Sequence, residues 1–420
     1  MTSAVSAGPH PVAPQRSAGL LLAVCAVTLL CTVGMAMPYP ILAPLFVDGP
    51  ADGFTRYGGM APEWLLGLAL AANPAGILLG SLVLGPLSDR LGRRRVLVTT
   101  LLACAAGNLL TAWALAERQY PLFVAARFLT GLTEGNIAVA RALLADHHGE
   151  ATRVRAFAWL NACQYGGWLV GPLVGGLSLA QGDAVPFVLA AAAMLPCAAL
   201  VRWAVPGGQP ATAAPGRTCV PSGGRSTLGP LLHDAALRRL AGLQLLYTCG
   251  VTALYEYAPL WCVTEAGFTS TGIAWITAAQ CAAMLAGTAL AGRLPSHQPL
   301  GTAAAAAGAA SLGLLGLALL PAPAGLVALV ALGLPLAVYN AFLPAWVSQR
   351  FSAHGQGRVM GLLTTLFCLA NVLTAVAGGA LSLWEVRWVM AVGAGCALAA
   401  ALSLAALARA GTRPPEGQRA

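Results

Sequence analysis

The feature that most constrains this chain is the recurrence of apolar runs, each long enough to cross roughly 30 Å of hydrocarbon, separated by short polar breaks. Six runs fall at about 18–46, 62–87, 95–116, 120–145, 154–179 and 185–204. Six more fall at about 238–263, 270–294, 299–320, 323–348, 357–382 and 386–409. Inside a bilayer the backbone has to satisfy its own hydrogen bonds, and continuous runs of this length do so as helices. The expectation is an all-α membrane protein with twelve transmembrane helices. Composition removes the soluble alternative: 9% of the 420 residues are charged and 58% are hydrophobic, too little polar surface to cover a core of this size in water.

The net charge of +9 does not point to nucleic acid, because its placement follows the membrane. All 23 basic residues are arginine. Eighteen fall in connections that alternate to one side, three (Arg56, Arg118, Arg387) in connections on the other, and two (Arg127, Arg141) within a run. That asymmetry is the positive-inside rule, and it places both termini in the cytoplasm. The first apolar run is too long for a signal-peptide core, so it is expected to remain as the first span. The eleven cysteines lie nearly all in apolar runs and include no CxxC pair, which reads as small buried residues rather than a disulfide framework.

Residues 205–237 are rich in Pro, Gly, Ser and Thr with interspersed arginines, a composition that cannot bury enough apolar surface to order itself. They are read as a cytoplasmic linker between an N-terminal half, 1–204, and a C-terminal half, 238–420. The halves echo one another. Residues 154–176 can be laid over 357–379, which places Arg155 on Arg358 and Gly175–Gly176 on Gly378–Gly379. GPLSDR from Gly85 has a worn counterpart in GRLPSH from Gly292. Two six-helix pseudo-symmetric halves related by an axis along the membrane normal would produce such echoes.

Three motifs carry a resemblance. GPLSDRLGRRR, at Gly85, Leu87, Ser88, Asp89, Arg90, Gly92, Arg93 and Arg94, resembles the signature loop of the major facilitator superfamily. Gly85 allows a close helix approach, and Asp89 suits the positive N-terminal end of a neighbouring helix. The resemblance makes that neighbour the eleventh span, with Arg358 as a candidate partner. A basic turn that only sets topology is the competing account. GGWLVGPLVGG resembles the family's antiporter motif at Gly167, Gly171, Pro172, Gly175 and Gly176, with Ala158 where the full pattern has another glycine. The resemblance implies a drug:proton exporter. Ordinary glycine-mediated packing would also place small residues there. RFLTGLTEG resembles the fourth-span motif at Arg127, Gly131 and Gly135, whose arginine the family implicates in proton coupling.

Arg127, Glu134 and Arg141 recur at intervals of seven and share a helix face. Charges in a span are costly toward lipid, so this face is expected to line a watered cavity or to pair internally. Glu134 is the first choice for the protonatable carboxylate, weakened in its attraction to Arg127 or Arg141 when protonated; a structural ion pair is the alternative. In the seventh span Glu256 lies between Tyr255 and Tyr257 near the outer end of its run. A carboxylate among aromatics suits a cationic or amphipathic ligand. An interfacial aromatic belt with a wetted acid accounts for it equally. Gln244, Tyr247, Gln280, Tyr339, Asn340 and Asn371 are candidate polar groups of a substrate cavity, each also able to serve as a packing hydrogen bond. All six histidines fall in tails or connections, and no metal-ligand cluster appears in the spans.

Together the resemblance implies a proton-coupled secondary transporter exporting a drug-like or amphipathic small molecule across the bacterial inner membrane by alternating access. No cofactor, metal or nucleic acid is called for, the chain is not expected to be an enzyme, and a monomer contacting only protons, substrate and lipids suffices. Export of an endogenous metabolite such as a siderophore is the alternative within transport. A membrane-embedded enzyme lacks any catalytic string, and a nutrient sensor would bind ligand without flux.

Overall fold

The computed structural model describes residues 14–134, 139–140, 143–144, 150–205, 233–294, 298–351 and 356–411. Fourteen helices organise these residues. The N-terminal half contains α1 (Pro14–Ala36), α2 (Tyr39–Val47), α3 (Pro62–Leu91), α4 (Arg93–Ala116), α5 (Tyr120–Glu134), α6 (Glu150–Ser178) and α7 (Val185–Ala204). The C-terminal half contains α8 (Ala235–Ala266), α9 (Ser270–Ala291), α10 (Pro299–Leu319), α11 (Ala322–Ala331), α12 (Gly333–Arg350), α13 (Gln356–Leu381) and α14 (Val386–Gly411).

The helices fall in all twelve expected spans, with two differences in detail. The first span is divided into α1 and α2 at Met37–Pro38, and the tenth into α11 and α12 at Leu332. Apolar residues continue across both breaks, so hydropathy reads through them, whereas Pro38 lacks the N–H that an uninterrupted helix needs. Among the described residues nine segments are long and apolar enough to cross a membrane. Caps fix several ends. Asp234 accepts from the amides of Ala236 and Leu237 at the start of α8, and Gly267 closes that helix at φ +66°. Gly92 turns the chain between α3 and α4 at φ +90°, a backbone that an L side chain rarely adopts.

Large apolar side chains cover the periphery, including Trp203 at 88% exposure and Leu312, Leu319 and Val327 at 70%. Water would not tolerate such a surface; hydrocarbon does. This is a multi-pass membrane protein.

The packing pattern repeats. In the first half α1 packs on α6 and α7, α5 on α3 and α4, and α4 on α7. In the second half the helices six spans later make the same pairs: α8 on α13 and α14, α12 on α9 and α10, and α10 on α14. The halves meet through α3 against α13 and α6 against α9, which are the same pair of positions exchanged, and through α2 against α8. These interfaces use backbone-close contacts. A Cβ on Gly67 of α3 would lie 2.6 Å from the Ala375 carbonyl and 2.8 Å from Gly379 Cα. Gly176 of α6 abuts Ala274 and the Ser270 carbonyl of α9. Gly67 and Gly176 sit toward the arginine-poor face, which carries the 48–61 connection, so the halves are sealed together on that face.

Candidate functional site

Glycines bring α3 and α5 close enough for one polar side chain to reach across. A Cβ on Gly76 would lie 2.8 Å from the Leu132 amide and 2.9 Å from Gly131 Cα, and Gly80 meets Leu132 in the same way. At this crossing Asn73 Nδ2 donates to Glu134 Oε2 at 2.8 Å. From α4, Cys104 Sγ lies 3.7 Å from Glu134 Oε1, and Asn108 Nδ2 donates in turn to the Cys104 carbonyl at 3.0 Å. Glu134 is therefore held by groups from two other helices and is 1% exposed.

Arg127, two turns earlier on α5, is 4% exposed. Its guanidinium stands 5.8 Å from the centre of the Phe187 ring of α7, a cation–π contact. Its Nε and Nη1 are buried with no hydrogen-bond partner. The expected Arg127–Glu134 attraction is thus not an ion pair: the carboxylate is taken by Asn73 and Cys104, and the cation by an aromatic face. Of the two arrangements expected for this face, a watered cavity or internal pairing, Glu134 shows the second in this conformation, where α3 packs closely on α5. Arg141 and Gly135 lie outside the described residues.

The C-terminal half adds Glu256. It stands in the outer part of its helix, ten residues before Ala266 or about 15 Å along the axis. It is 2% exposed, and both carboxylate oxygens are buried without a hydrogen-bond partner. The wetted interfacial belt is therefore overturned, because α2, α13 and α14 pack over α8. Tyr39, at the start of α2, links the two acids: its hydroxyl is within electrostatic reach of Glu256 of one half and of Arg127 and Glu134 of the other.

An aromatic cluster crosses the same junction. Trp168 of α6, inside the GGWLVGP string, lies 5.5 Å from Tyr39, stacks on Tyr255 of α8 at 6.2 Å and meets Phe367 of α13 edge-on at 6.4 Å. The glycines around Trp168 dock α6 on α1: Gly167 faces Thr32 and the Leu29 carbonyl, Gly171 faces Ala36 and the Val33 carbonyl, and Gly175 faces Met37. Pro172 is buried within α6.

Other expected cavity residues pack within their own half. Tyr339 Oη donates to Gln244 Oε1 at 2.9 Å, Gln244 Nε2 donates to Thr248 at 3.1 Å, and the Tyr247 and Tyr339 rings stack at 3.5 Å. Gln280 is buried on α9, Asn340 is half-buried on α12, and Asn371 donates to the Phe367 carbonyl within α13. Of the signature loop, Arg90 is exposed and Arg93 and Arg94 are half-buried. The side chains of Gly85, Asp89 and Arg358 lie outside those described.

A family model described as the Major Facilitator Superfamily matches residues 24–375. The chain belongs to that superfamily. Among curated relatives it is 33% identical over 165 residues to the class B tetracycline resistance protein of Escherichia coli, and 31% identical over 164 residues to the class G protein of Vibrio anguillarum. Each match covers 39% of this chain and 39% of the relative, so the chain spans about two fifths of the length of the curated relatives it matches. Among solved structures, the D-xylose–proton symporter superposes with a TM-score of 0.70 at 17% identity, over 92% of this chain and 96% of that one. The human organic anion transporter MFSD10 (TETRAN) gives 0.66 at 20% identity, over 94% and 100%. At these identities the structures speak for the superfamily fold alone.

The sequence did not single out Asn73, Cys104, Tyr39 or Trp168. Asn73 had a signal, as a lone amide within LALAANPAGILLG, and Trp168 lies inside a motif read only for its glycines.

Proposed function

We propose that this major facilitator transporter exports a drug-like amphipathic molecule in exchange for protons, from the bacterial inner membrane with both termini cytoplasmic. The observation that carries the reading is Glu134. It is a buried carboxylate held by two neutral donors, beside an arginine with unpartnered nitrogens, one tyrosine away from the junction of the halves. Its ionised and protonated forms differ sharply in what they cost in such surroundings, and that difference lets a proton bias a two-state equilibrium. A proton arriving from outside neutralises Glu134 and loosens the field around Arg127. The halves then rock so that the cavity opens inward. Trp168, Tyr255, Phe367 and Tyr39 offer a flat apolar substrate a stacking surface that both halves share. Asp89 latches the cytoplasmic ends of α3 and α13 in the outward-facing state. The likeness to tetracycline resistance proteins and the glycine series of α6 support export over uptake.

Expression in a pump-deficient bacterium challenged with antibiotics and dyes tests this reading. Protection against several compounds, abolished by an uncoupler and by Asp89→Asn, is the expected outcome. A strain as sensitive as its parent across the panel contradicts it.

A further inference from the structure

We infer that Glu256 is a second proton-carrying group, on the C-terminal half, whose access to water is controlled by the seal between α3 and α13. The inference rests on the proton-coupled reading above and extends it from one carboxylate to two. Glu256 is 2% exposed, and neither of its oxygens has a hydrogen-bond partner among the described residues. An ionised carboxylate in that setting costs several kcal/mol, and replacing a structural acid there with an apolar side chain would be free of that cost. An acid in such a place makes sense as a group that is neutral when sealed and meets water in another conformation.

The groups that face it allow this. From its own helix Tyr257 and Cys249 lie within electrostatic reach, and from α2 Tyr39 does. Of the flanking elements, α13 carries Cys368, within electrostatic reach of Tyr39, and α14 carries Cys396, within electrostatic reach of Cys249. Among these none is a cation. The arginine of the cluster, Arg127, reaches the region through Tyr39. Tyr39 is thus within electrostatic reach of a carboxylate on each half.

The seal is built on the residue next in sequence. Tyr257 Oη donates to the Ala375 carbonyl of α13, its ring abuts Gly378, and its hydroxyl would lie 3.1 Å from a Cβ on Gly67 of α3. Separation of α3 from α13 frees this contact and admits water from the arginine-poor face beside Glu256. The acid then takes its proton from that water, and gives it up to water on the opposite side after the halves have rocked. No other proton donor is needed for the balance.

Infrared difference spectroscopy on the purified full-length protein, stepped from acid to alkaline pH, reads carboxyl protonation without any substrate. The expected result is a carboxylic-acid C=O signal that disappears on alkalinisation, is absent in Glu256→Gln, shifts in Glu256→Asp and survives in Glu134→Gln. A Glu256→Gln difference spectrum identical to that of the wild type overturns the inference. Failure of the exporter reading would appear elsewhere, as wild-type proteoliposomes in which no compound moves protons, so the two outcomes are separable.

Discussion

Asp52 shows at the level of one side chain how the connections on the arginine-poor face are held. Its Oδ1 accepts from the amides of Phe54 and Thr55, each at 2.9 Å, and its Oδ2 meets Arg118 Nε at 2.9 Å. Partial burial alone would push this carboxyl up, but the two amides and the Arg118 guanidinium outweigh it and hold it below the usual carboxylate range. A depressed folded-state value means the stabilisation is complete above the unfolded value of about 3.9 and is lost as pH falls through the lower folded value. Asp52→Asn should therefore unfold at a lower temperature than the wild type at neutral pH, and the gap should close in acid; a gap that persists there would assign the effect to packing. Within the spans, Arg127 and Glu134 are legible in the sequence because an intramembrane charge stands out. Asn73 and Cys104 are not, because their role depends on which helices cross α5. The burial of Glu256 is not legible for a similar reason: distance from the end of a hydrophobic run says nothing about the helices that seal over it.

Glycine spacing governs how helices approach one another. Gly167, Gly171 and Gly175 stand four residues apart and present one bare strip of α6 to α1, so the backbone of one helix meets the carbonyls of the other. A Cβ on Gly171 would lie 2.6 Å from Ala36 Cβ and 2.7 Å from the Val33 carbonyl. Gly171→Leu should destabilise the protein by about 1–3 kcal/mol through overpacking and displace Trp168 from its stack with Tyr255. Thermal unfolding and tryptophan emission measure both, and unchanged values for the two would show that this strip is not a close interface. The run of GGWLVGPLVGG is thus readable as a packing surface from sequence, and its spacing names the strip. The identity of the partner helix is not readable, because any neighbour with small residues would serve. The breaks at Met37–Pro38 and Leu332 escape hydropathy because apolar residues flank them on both sides.

The whole molecule is one pattern of helix pairs used twice, joined at two equivalent seams, α3 with α13 and α6 with α9. Exchange of the halves about an axis along the membrane normal carries one seam onto the other, so both close on the same face, as the Gly67 and Gly176 contacts do here. The duplication was visible as the 203-residue echo between the fifth and eleventh spans; the present closure on the arginine-poor face was not, since a closure on either face would use the same sequence. The central claim is that protonation of Glu134 drives the exchange of substrate across these seams. Proteoliposomes holding a pH gradient and a trapped pH dye, given tetracycline and other amphipathic compounds in turn, test it most directly. The account predicts that the wild type dissipates the gradient when a transported compound is added and that Glu134→Gln does not; a Glu134→Gln protein that exchanges protons for the same compound at the wild-type rate would contradict it.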